Sequence, residues 1–321
     1  MVSNDDEANY NNSLSDWLAK FSDNVSIASL SIPGTHNSAA FYHSFPCVKC
    51  QGASILHQLN NGVRFLDFRV SKPYLNKLSV SCLSSSSSSS FSGGLQLCHG
   101  AFPISISRQV KLHNILNDVY SYLDDHPRET VIVSLKNEGP FSWVRDEFSQ
   151  ILWHHYIEPC RHRWFLDPCV PTLGQVRGKI ILLRRFTCSP NLDGTFGFPA
   201  TAWTYNTTGS DYQAGIPLSI QDFCELSSSA MIKAKTEYVE SHILRSTQSL
   251  QNHSTLFMNF TSASNFWNLN CWPRKVATAM NAGIKNALLN HKGSCGVLVL
   301  DFAEDDDWSI VKLIINRNSF I

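Results

Sequence analysis

Short apolar segments recur along the whole chain, separated by helical patterns or long loops, and they constrain its fold more than any other feature. They are Ile27–Leu30, Val63–Val70, Leu95–Gly100, Thr130–Leu135, Lys179–Leu183, Ile216–Ile220, Leu256–Phe260 and Gly296–Leu300. Strands that alternate with helices are typical of parallel βα units, and about eight units suit a closed barrel. The sequence therefore predicts an α/β fold, an irregular (β/α)8 TIM barrel. Thr187–Ala214 lacks a helical pattern and is the irregular part.

A chain of 321 residues could form one barrel or two smaller domains. No shift in composition marks a boundary, so we expect a single domain. Residues 1–25 are predicted to be a tail followed by a short helix, and residues 26–321 the barrel. The serine run Ser84–Ser90 cannot bury a core, so residues 84–94 are predicted to be a disordered insertion.

Charge and hydropathy exclude some function classes. The 26 basic and 26 acidic residues balance, so no global field favours nucleic acid as a partner. No run of 18 apolar residues exists to span a bilayer, and residues 1–12 lack the apolar core of a secretory signal. We expect a location in the cytoplasm or at a membrane surface, with secretion left open.

Cys47 and Cys50 are the one close cysteine pair, predicted to be a disulfide or two free thiols rather than a metal site.

Charged side chains gather where the predicted strands end, which is where a barrel of this class carries its chemistry. The candidates are His36, Asp67, Arg69, His99, Lys136, Arg185, Asp222 and Asp301. An ion-pair layer at the barrel mouth would look partly similar. Two histidines on separate strands can serve as base and acid, and an arginine between them can hold a phosphate. The set indicates phosphodiester cleavage without a dedicated metal cage.

The chain resembles the phosphatidylinositol-specific phospholipase C family, in its bacterial type with a single X domain. The resemblance runs from about Ser26 to the C-terminus. It rests on six blocks in order: Ser31–His36, Gly62–Arg69, Leu97–Gly100, Val131–Lys136, Arg177–Arg185 and Met258–Ser262. It implies a barrel enzyme in which the inositol 2-hydroxyl attacks phosphorus, releasing diacylglycerol and a cyclic inositol phosphate. Phosphatidylinositol or a related inositol lipid at a membrane surface is the implied partner, and no protein partner is implied.

The resemblance also implies roles for individual residues. His36 matches the general base, Asp301 the carboxylate that orients it, and His99 the general acid. Arg69 matches the arginine that bacterial enzymes carry where eukaryotic ones place calcium, and Asp67 is grouped with it as catalytic. Contacts to the inositol head group are expected from Asn37, Lys136, Arg185, Asp222 and Phe223.

Two positions depart from the bacterial pattern. Asn37 stands where those enzymes carry aspartate, and calcium-dependent relatives use asparagine there as a metal ligand. Because Arg69 would compete with a cation, we expect no cofactor, with calcium as the alternative to test. Cys224 stands where an aromatic ring usually stacks on the inositol, and Phe223 is expected to substitute for it.

A lipid substrate requires contact with a bilayer. Aromatic and apolar side chains in loops at the barrel mouth could insert shallowly into the interface, or they could roof the pocket. The predicted membrane contacts are Phe45, Val48, Phe266, Trp267 and Trp272.

Two rival functions stay open. The first is a barrel phosphodiesterase for another substrate, metal-dependent or of the sphingomyelinase D kind, which would need a close acidic pair beside Asp67. The second is a non-catalytic inositol-lipid binding protein. Asn37 and Cys224 favour that second reading, whereas retention of both histidines argues against it.

Overall fold

A curled sheet forms the centre of the molecule in the computed structural model, which describes residues 14–74, 94–212, 217–249 and 254–319. Its strands are β1 (Ile32–Thr35), β2 (Phe65–Ser71), β3 (Gln96–His99), β4 (Phe102–Pro103), β5 (Val131–Asn137), β6 (Trp164–Phe165), β7 (Ile180–Arg185), β8 (Phe198–Pro199), β9 (Ser210–Tyr212), β10 (Leu218–Gln221), β11 (Leu256–Phe260) and β12 (Val297–Leu300). Nine of them run parallel. Eight follow the order β8-β7-β5-β2-β1-β12-β11-β10, and β6 pairs with the first two residues of β7. Within the described residues no ladder joins β8 to β10, so the barrel is open there.

Helices cover the outside of this sheet. They are α1 (Ile55–Asn60), α2 (Leu112–Asp125), α3 (Glu147–Leu152), α4 (Leu173–Val176), α5 (Met231–Gln248), α6 (Pro273–Asn290) and α7 (Asp305–Asn316). Short 3-10 or π turns add Trp17–Lys20, Ile27–Ser29, Trp153–Ile157, Glu158–Arg163 and Leu269–Cys271. Among the helices of the described ranges, none is long and apolar enough to cross a membrane. The predicted irregular α/β barrel is confirmed.

The first predicted strand lies elsewhere in the structure. Ile27–Ser29 is a 3-10 turn, and strand β1 begins at Ile32 and contains Pro33 and Gly34, beyond the predicted segment. The geometry explains both residues. Proline has no backbone N–H, so Pro33 cannot donate to the Gly62 carbonyl. The indole of Trp17 donates to that carbonyl instead. A Cβ on Gly34 would approach the Cβ of Phe65 to 2.9 Å, so only glycine fits.

The predicted third strand is not one of the barrel strands. Strand β3 pairs antiparallel with β2 through Val70 and Leu97 and forms a hairpin with β4. The missing barrel strand is β8, inside the stretch 187–214 that had been predicted to be irregular. Because β8 has only two residues, it shows no alternation that a sequence pattern could reveal. Residues 1–13 of the predicted N-terminal segment 1–25 and residues 84–93 of the predicted insertion lie outside the described residues.

Alternation along the parallel strands divides the core into two layers. One face of each strand packs under the helices, and the other fills the barrel with side chains such as Ile32, Phe65, Ile181, Met258 and Val299. The inward positions continue, two residues at a time, to the carboxyl ends of the strands. The apolar interior therefore leads directly to the charged residues of the next section.

Candidate active site

Strand period places the predicted charged residues on one inner face. Asp67 and Arg69 follow Phe65 at steps of two on β2, and Lys136, Arg185 and Asp301 stand two residues beyond inward-facing residues of their own strands. Because these parallel strands are adjacent in the sheet, their carboxyl ends converge at one mouth. They surround a cavity of about 840 Å³, lined by His36, Arg69, His99, Lys136, Glu138, Arg185, Trp203, Asp222, Cys224, Asp301 and neighbouring residues.

His36 is held from both sides of its imidazole. Its Nδ1 lies 2.8 Å from Oδ1 of Asp301, and its Nε2 lies 2.9 Å from Nη2 of Arg69. A carboxylate can only accept and a guanidinium can only donate, so the proton is on Nδ1 and Nε2 carries a lone pair. Nε2 is thereby aimed at the cavity as a proton acceptor, the arrangement that a general base requires.

His99 faces His36 from the β3–β4 hairpin. The two ring centroids lie 5.6 Å apart with planes at 81°. Nδ1 of His99 donates to the Val48 carbonyl over 2.8 Å, which leaves its Nε2 free to face the cavity. Burial is the main cause that lowers the pKa of His99 to about 4, and the neighbouring His36 and the guanidinium of Arg69 add to the shift.

Asp67 is the fully buried anion beneath the site. Its Oδ2 accepts from Nε of Arg69 at 3.2 Å and its Oδ1 lies 3.4 Å from Nη1 of Arg185. Burial alone would raise the pKa of Asp67, but the two arginines hold it well below its usual range. Asp67 does not line the cavity. Asp67, which the resemblance grouped with the catalytic residues, contacts the two guanidinium groups from beneath the cavity.

The cations on the other side of the mouth are paired in turn. Nη2 of Arg185 lies 3.6 Å from Asp222, and Nζ of Lys136 lies 3.3 Å from Glu138. Burial opposes ionisation of Glu138, but Arg69 and Lys136 outweigh it and lower its pKa to about 2. This charged wall offers donors and acceptors to a polyhydroxylated anionic ligand.

Of the predicted head-group contacts, Phe223 lines the cavity whereas Asn37 does not reach it. Asn37 is fully buried, its two side-chain polar atoms find no partner in the part of the chain described, and it is absent from the cavity wall. The ring of Phe223 packs edge-to-face on Tyr238 with centroids 5.4 Å apart, and little of Phe223 is exposed. The indole that does lie over the site is Trp203, with the guanidinium of Arg185 3.6 Å from its ring centroid.

The predicted membrane contacts divide into two groups. Phe45, Phe266 and Trp267 are 55%, 40% and 88% exposed, respectively. Trp272 is half-buried and donates from its indole to the Phe266 carbonyl. Val48 was predicted wrongly: it is buried in the core because its loop folds inward to bring its carbonyl to His99.

Sequence reasoning missed three cavity or site residues. Glu138 follows Lys136 by two positions, and the same strand period could have identified it. Trp203 and Cys50 lie in loops whose path no local pattern specifies. Cys50, the predicted thiol of the close pair, is free and places its sulfur 3.6 Å from Nδ1 of His99.

Comparison with known proteins agrees with this geometry. Residues 30–186 match the sequence model of the phosphatidylinositol-specific phospholipase C X domain. The 1-phosphatidylinositol phosphodiesterase of Listeria monocytogenes is 26% identical over 317 residues, covering 95% of this chain and 85% of the relative. That of Staphylococcus aureus strain Newman is 26% identical over 305 residues, covering 89% of this chain and 88% of the relative.

Solved structures show the same fold. A phosphatidylinositol-specific phospholipase C from Staphylococcus aureus superposes with a TM-score of 0.75 at 24% identity, covering 95% of this chain and 98% of the other. That from Listeria monocytogenes gives a TM-score of 0.70 at 23% identity, covering 96% and 99%. Fold and site together are similar to those of the phosphodiesterase barrels. Residues 30–186 match the phosphatidylinositol-specific phospholipase C X domain, and relatives at 26% identity extend the likeness over most of the chain.

Proposed function

We propose that this protein is a phosphatidylinositol-specific phospholipase C that cleaves the phosphodiester of its lipid by intramolecular attack. The observation that carries the proposal is the pair of histidines facing each other across the cavity, His36 oriented by Asp301 and His99 by a backbone carbonyl. Binding alone does not need two imidazoles whose free nitrogens converge on one ligand. Acid–base catalysis at phosphorus does.

In the proposed first step, Nε2 of His36 takes the proton of the inositol 2-hydroxyl while that oxygen attacks phosphorus. The bond from phosphorus to the diacylglycerol oxygen breaks, and the Nε2 proton of His99 goes to that leaving oxygen. Diacylglycerol and a 1,2-cyclic inositol phosphate result. Asp301 stabilises the imidazolium that forms on His36.

Arg69 links substrate binding to activation of the base. In the free protein its Nη2 donates to the lone pair of His36. A phosphate anion in the cavity competes for this guanidinium as a charge-assisted acceptor and frees Nε2 for the hydroxyl proton. The same anion favours the protonated form of His99, raising its pKa from the low value of the free protein.

Calcium does not fit the residues present. A calcium ion takes six to eight oxygen ligands, at least about four more than one carboxylate can supply. Both Asp67 oxygens already contact arginines, and Glu138 forms ion pairs with Arg69 and Lys136. Although Asn37 has unpartnered polar atoms, the guanidinium of Arg69 stands among these anions. We therefore expect catalysis to be independent of metal.

The lipid is expected to enter from a membrane surface. Phe266 and Trp267 lie at the rim of the cavity, and Phe266 stacks on Phe102 with centroids 5.0 Å apart. Phe102 belongs to the hairpin that carries His99. Exposed rings of this kind partition to the bilayer interface, where phosphatidylinositol presents its head group.

Phosphorus NMR of the purified protein with phosphatidylinositol vesicles tests the function. We expect a cyclic inositol phosphate signal in EDTA, lost in His36→Ala and His99→Ala. A signal that requires calcium would show that Arg69 has been assigned wrongly. Intact vesicle binding with no product in either buffer would place the protein in the lipid-binding class.

A further inference from the structure

A cysteine that the proposed reaction does not use lies behind the general base. Sγ of Cys50, a ring nitrogen of His36 and a carboxylate oxygen of Asp301 all lie within 4.8 Å of one another, and all three residues are buried. In the described ranges this is the one group of three or more histidine, cysteine, aspartate or glutamate side chains that close together. Nδ1 of His99 lies 3.6 Å from the same sulfur.

The chemistry of these donors selects a class of ion. Calcium and magnesium prefer oxygen ligands only, whereas a thiolate with imidazole and carboxylate suits zinc and its softer analogue cadmium. In tetrahedral geometry, bonds of about 2.3 Å to sulfur and about 2.1 Å to nitrogen place the two ligand atoms about 3.6 Å apart. Since the ligand atoms of the cluster lie within 4.8 Å of one another, the sulfur must move by no more than about 1.2 Å to bind the ion.

The fold allows that movement and gives the ion a route. His36 and Asp301 line the cavity, whereas Cys50 lies behind them. Cys50 belongs to the loop between β1 and α1, anchored by its amide to the Ala40 carbonyl and by its own carbonyl to the Phe302 amide. The backbone is thus fixed on both sides, while the thiol can turn about its χ1 angle toward an ion that enters through the cavity.

We propose that Cys50, His36 and Asp301 form an inhibitory site for a thiophilic divalent cation such as zinc. Binding displaces the thiol proton of Cys50 to solvent, the proton of His36 moves from Nδ1 to Nε2, and no electron is transferred. The metal on Nδ1 takes the place of the hydrogen bond from His36 to Asp301. Because Nε2 then carries the ring proton and Nδ1 binds the ion, His36 has no lone pair for the hydroxyl proton and cannot act as the base.

Only the inhibitory consequence rests on the proposed function; metal binding itself does not. The first experiment therefore reads binding directly. Cadmium is titrated into the full-length protein in thiol-free buffer, and the ultraviolet charge-transfer band of the cadmium–thiolate bond is followed. Compared with wild type, Cys50→Ser is expected to lose the tightest-binding component, whereas Cys47→Ser and Cys224→Ser keep it.

The two controls exclude other thiols. Cys47 is the second member of the close pair, and Cys224 is the half-exposed thiol in the cavity wall. If Cys47→Ser removes the tight component, the ion binds the close cysteine pair and the proposal is wrong. Loss of that component in Cys224→Ser would likewise move the site to the opposite wall.

A second experiment measures inhibition by zinc, with each variant normalised to its own rate. Zinc should inhibit the wild type reversibly, with recovery in EDTA, and Cys50→Ser should need at least tenfold more zinc. Cys50→Ala provides the same test without a buried hydroxyl, and circular dichroism checks its fold. Equal zinc sensitivity of wild type and both Cys50 variants would overturn the proposal. If the wild type is inactive on every lipid, the cadmium titration still decides whether the site exists.

Discussion

Nη2 of Arg69 donates to Nε2 of His36 across 2.9 Å, while Nδ1 of the same imidazole donates to Asp301. This one contact defines the state of the free protein: His36 is in the tautomer that the proposed general base requires, and its lone pair is already occupied. Arg69 is held there by Asp67 below and Glu138 beside it. The residues that would bind phosphate thus also control access to the base.

Replacing Asp301 by asparagine should slow turnover by a factor of about 100 to 10,000, because an amide neither fixes the Nδ1 tautomer nor stabilises the imidazolium. The measurement is kcat/KM against pH with phosphatidylinositol. Asp222→Asn is the matched control, because Asp222 contacts Arg185 and not His36. It should raise KM without changing the pH profile. Equal effects of the two substitutions on kcat would contradict the assigned role of Asp301.

Membrane binding should depend on the exposed rim. Trp267→Ala removes the most exposed aromatic side chain of the rim, and burial of a large apolar side chain contributes about 1.5–3 kcal/mol. We expect binding to phosphatidylinositol vesicles, measured by co-sedimentation, to weaken about tenfold or more. Leu289→Ala is the control, since Leu289 is also exposed but lies on α6 away from the cavity wall. A similar loss for Leu289→Ala would point to another docking face.

Acid should destabilise the fold through buried neutral histidines. Burial, with the charge of Arg245, lowers the pKa of His242 to about 3, against about 6.5 in an unfolded chain. Asp211 opposes this shift and Lys235 adds to it. Because the unfolded state binds more protons between these values, the free energy of unfolding falls as pH falls below about 6.5.

The size of that acid effect can be measured by urea unfolding at pH 7 and pH 5. His242 alone should contribute about 2 kcal/mol to the difference. His242→Gln should therefore reduce the difference, whereas His43→Gln, at an exposed position, should leave it unchanged. An identical pH dependence in His242→Gln and wild type would show that His242 is not buried in its neutral form.

Cys224 is the position at which head-group affinity can be raised. It lines the cavity beside Asp222, and the bacterial pattern has an aromatic ring there. Cys224→Tyr should add apolar surface against the inositol ring and lower the inhibition constant for myo-inositol severalfold. Cys224→Ser, which adds no ring, should not. Weaker inositol binding by the tyrosine variant would mean that the nearby Tyr205 already fills this space.

The sequence predicted the inward-facing positions where the two-residue period of a strand combines with the parallel order of the strands. Once the chain is read as parallel βα units, Arg69, Lys136, Arg185 and Asp301 must face inward at the same end. Their burial and pairing then follow from convergence of the strands. His99 reached this set by another path, through an antiparallel hairpin that the alternation pattern could not distinguish from a barrel strand.

The wrong predictions share one physical cause: in a loop, the direction of successive side chains does not alternate with a regular period. Val48 and Phe45 lie in one loop and look alike in sequence, but only Phe45 is exposed. Asn37 follows the base directly, yet a backbone φ of 40° accompanies a side chain directed into the protein rather than the cavity. Neither outcome can be obtained from neighbouring residues alone.

By itself, the sequence determined the barrel and the inward-facing charges, because hydrophobic period and strand order are local and additive. Tertiary structure alone decided the partners of those charges. It placed Arg69 on the lone pair of His36, Trp203 on Arg185 and the Cys50 thiol beside Asp301. These contacts join segments far apart in the chain, and their distances depend on how the whole sheet curls and how each loop packs.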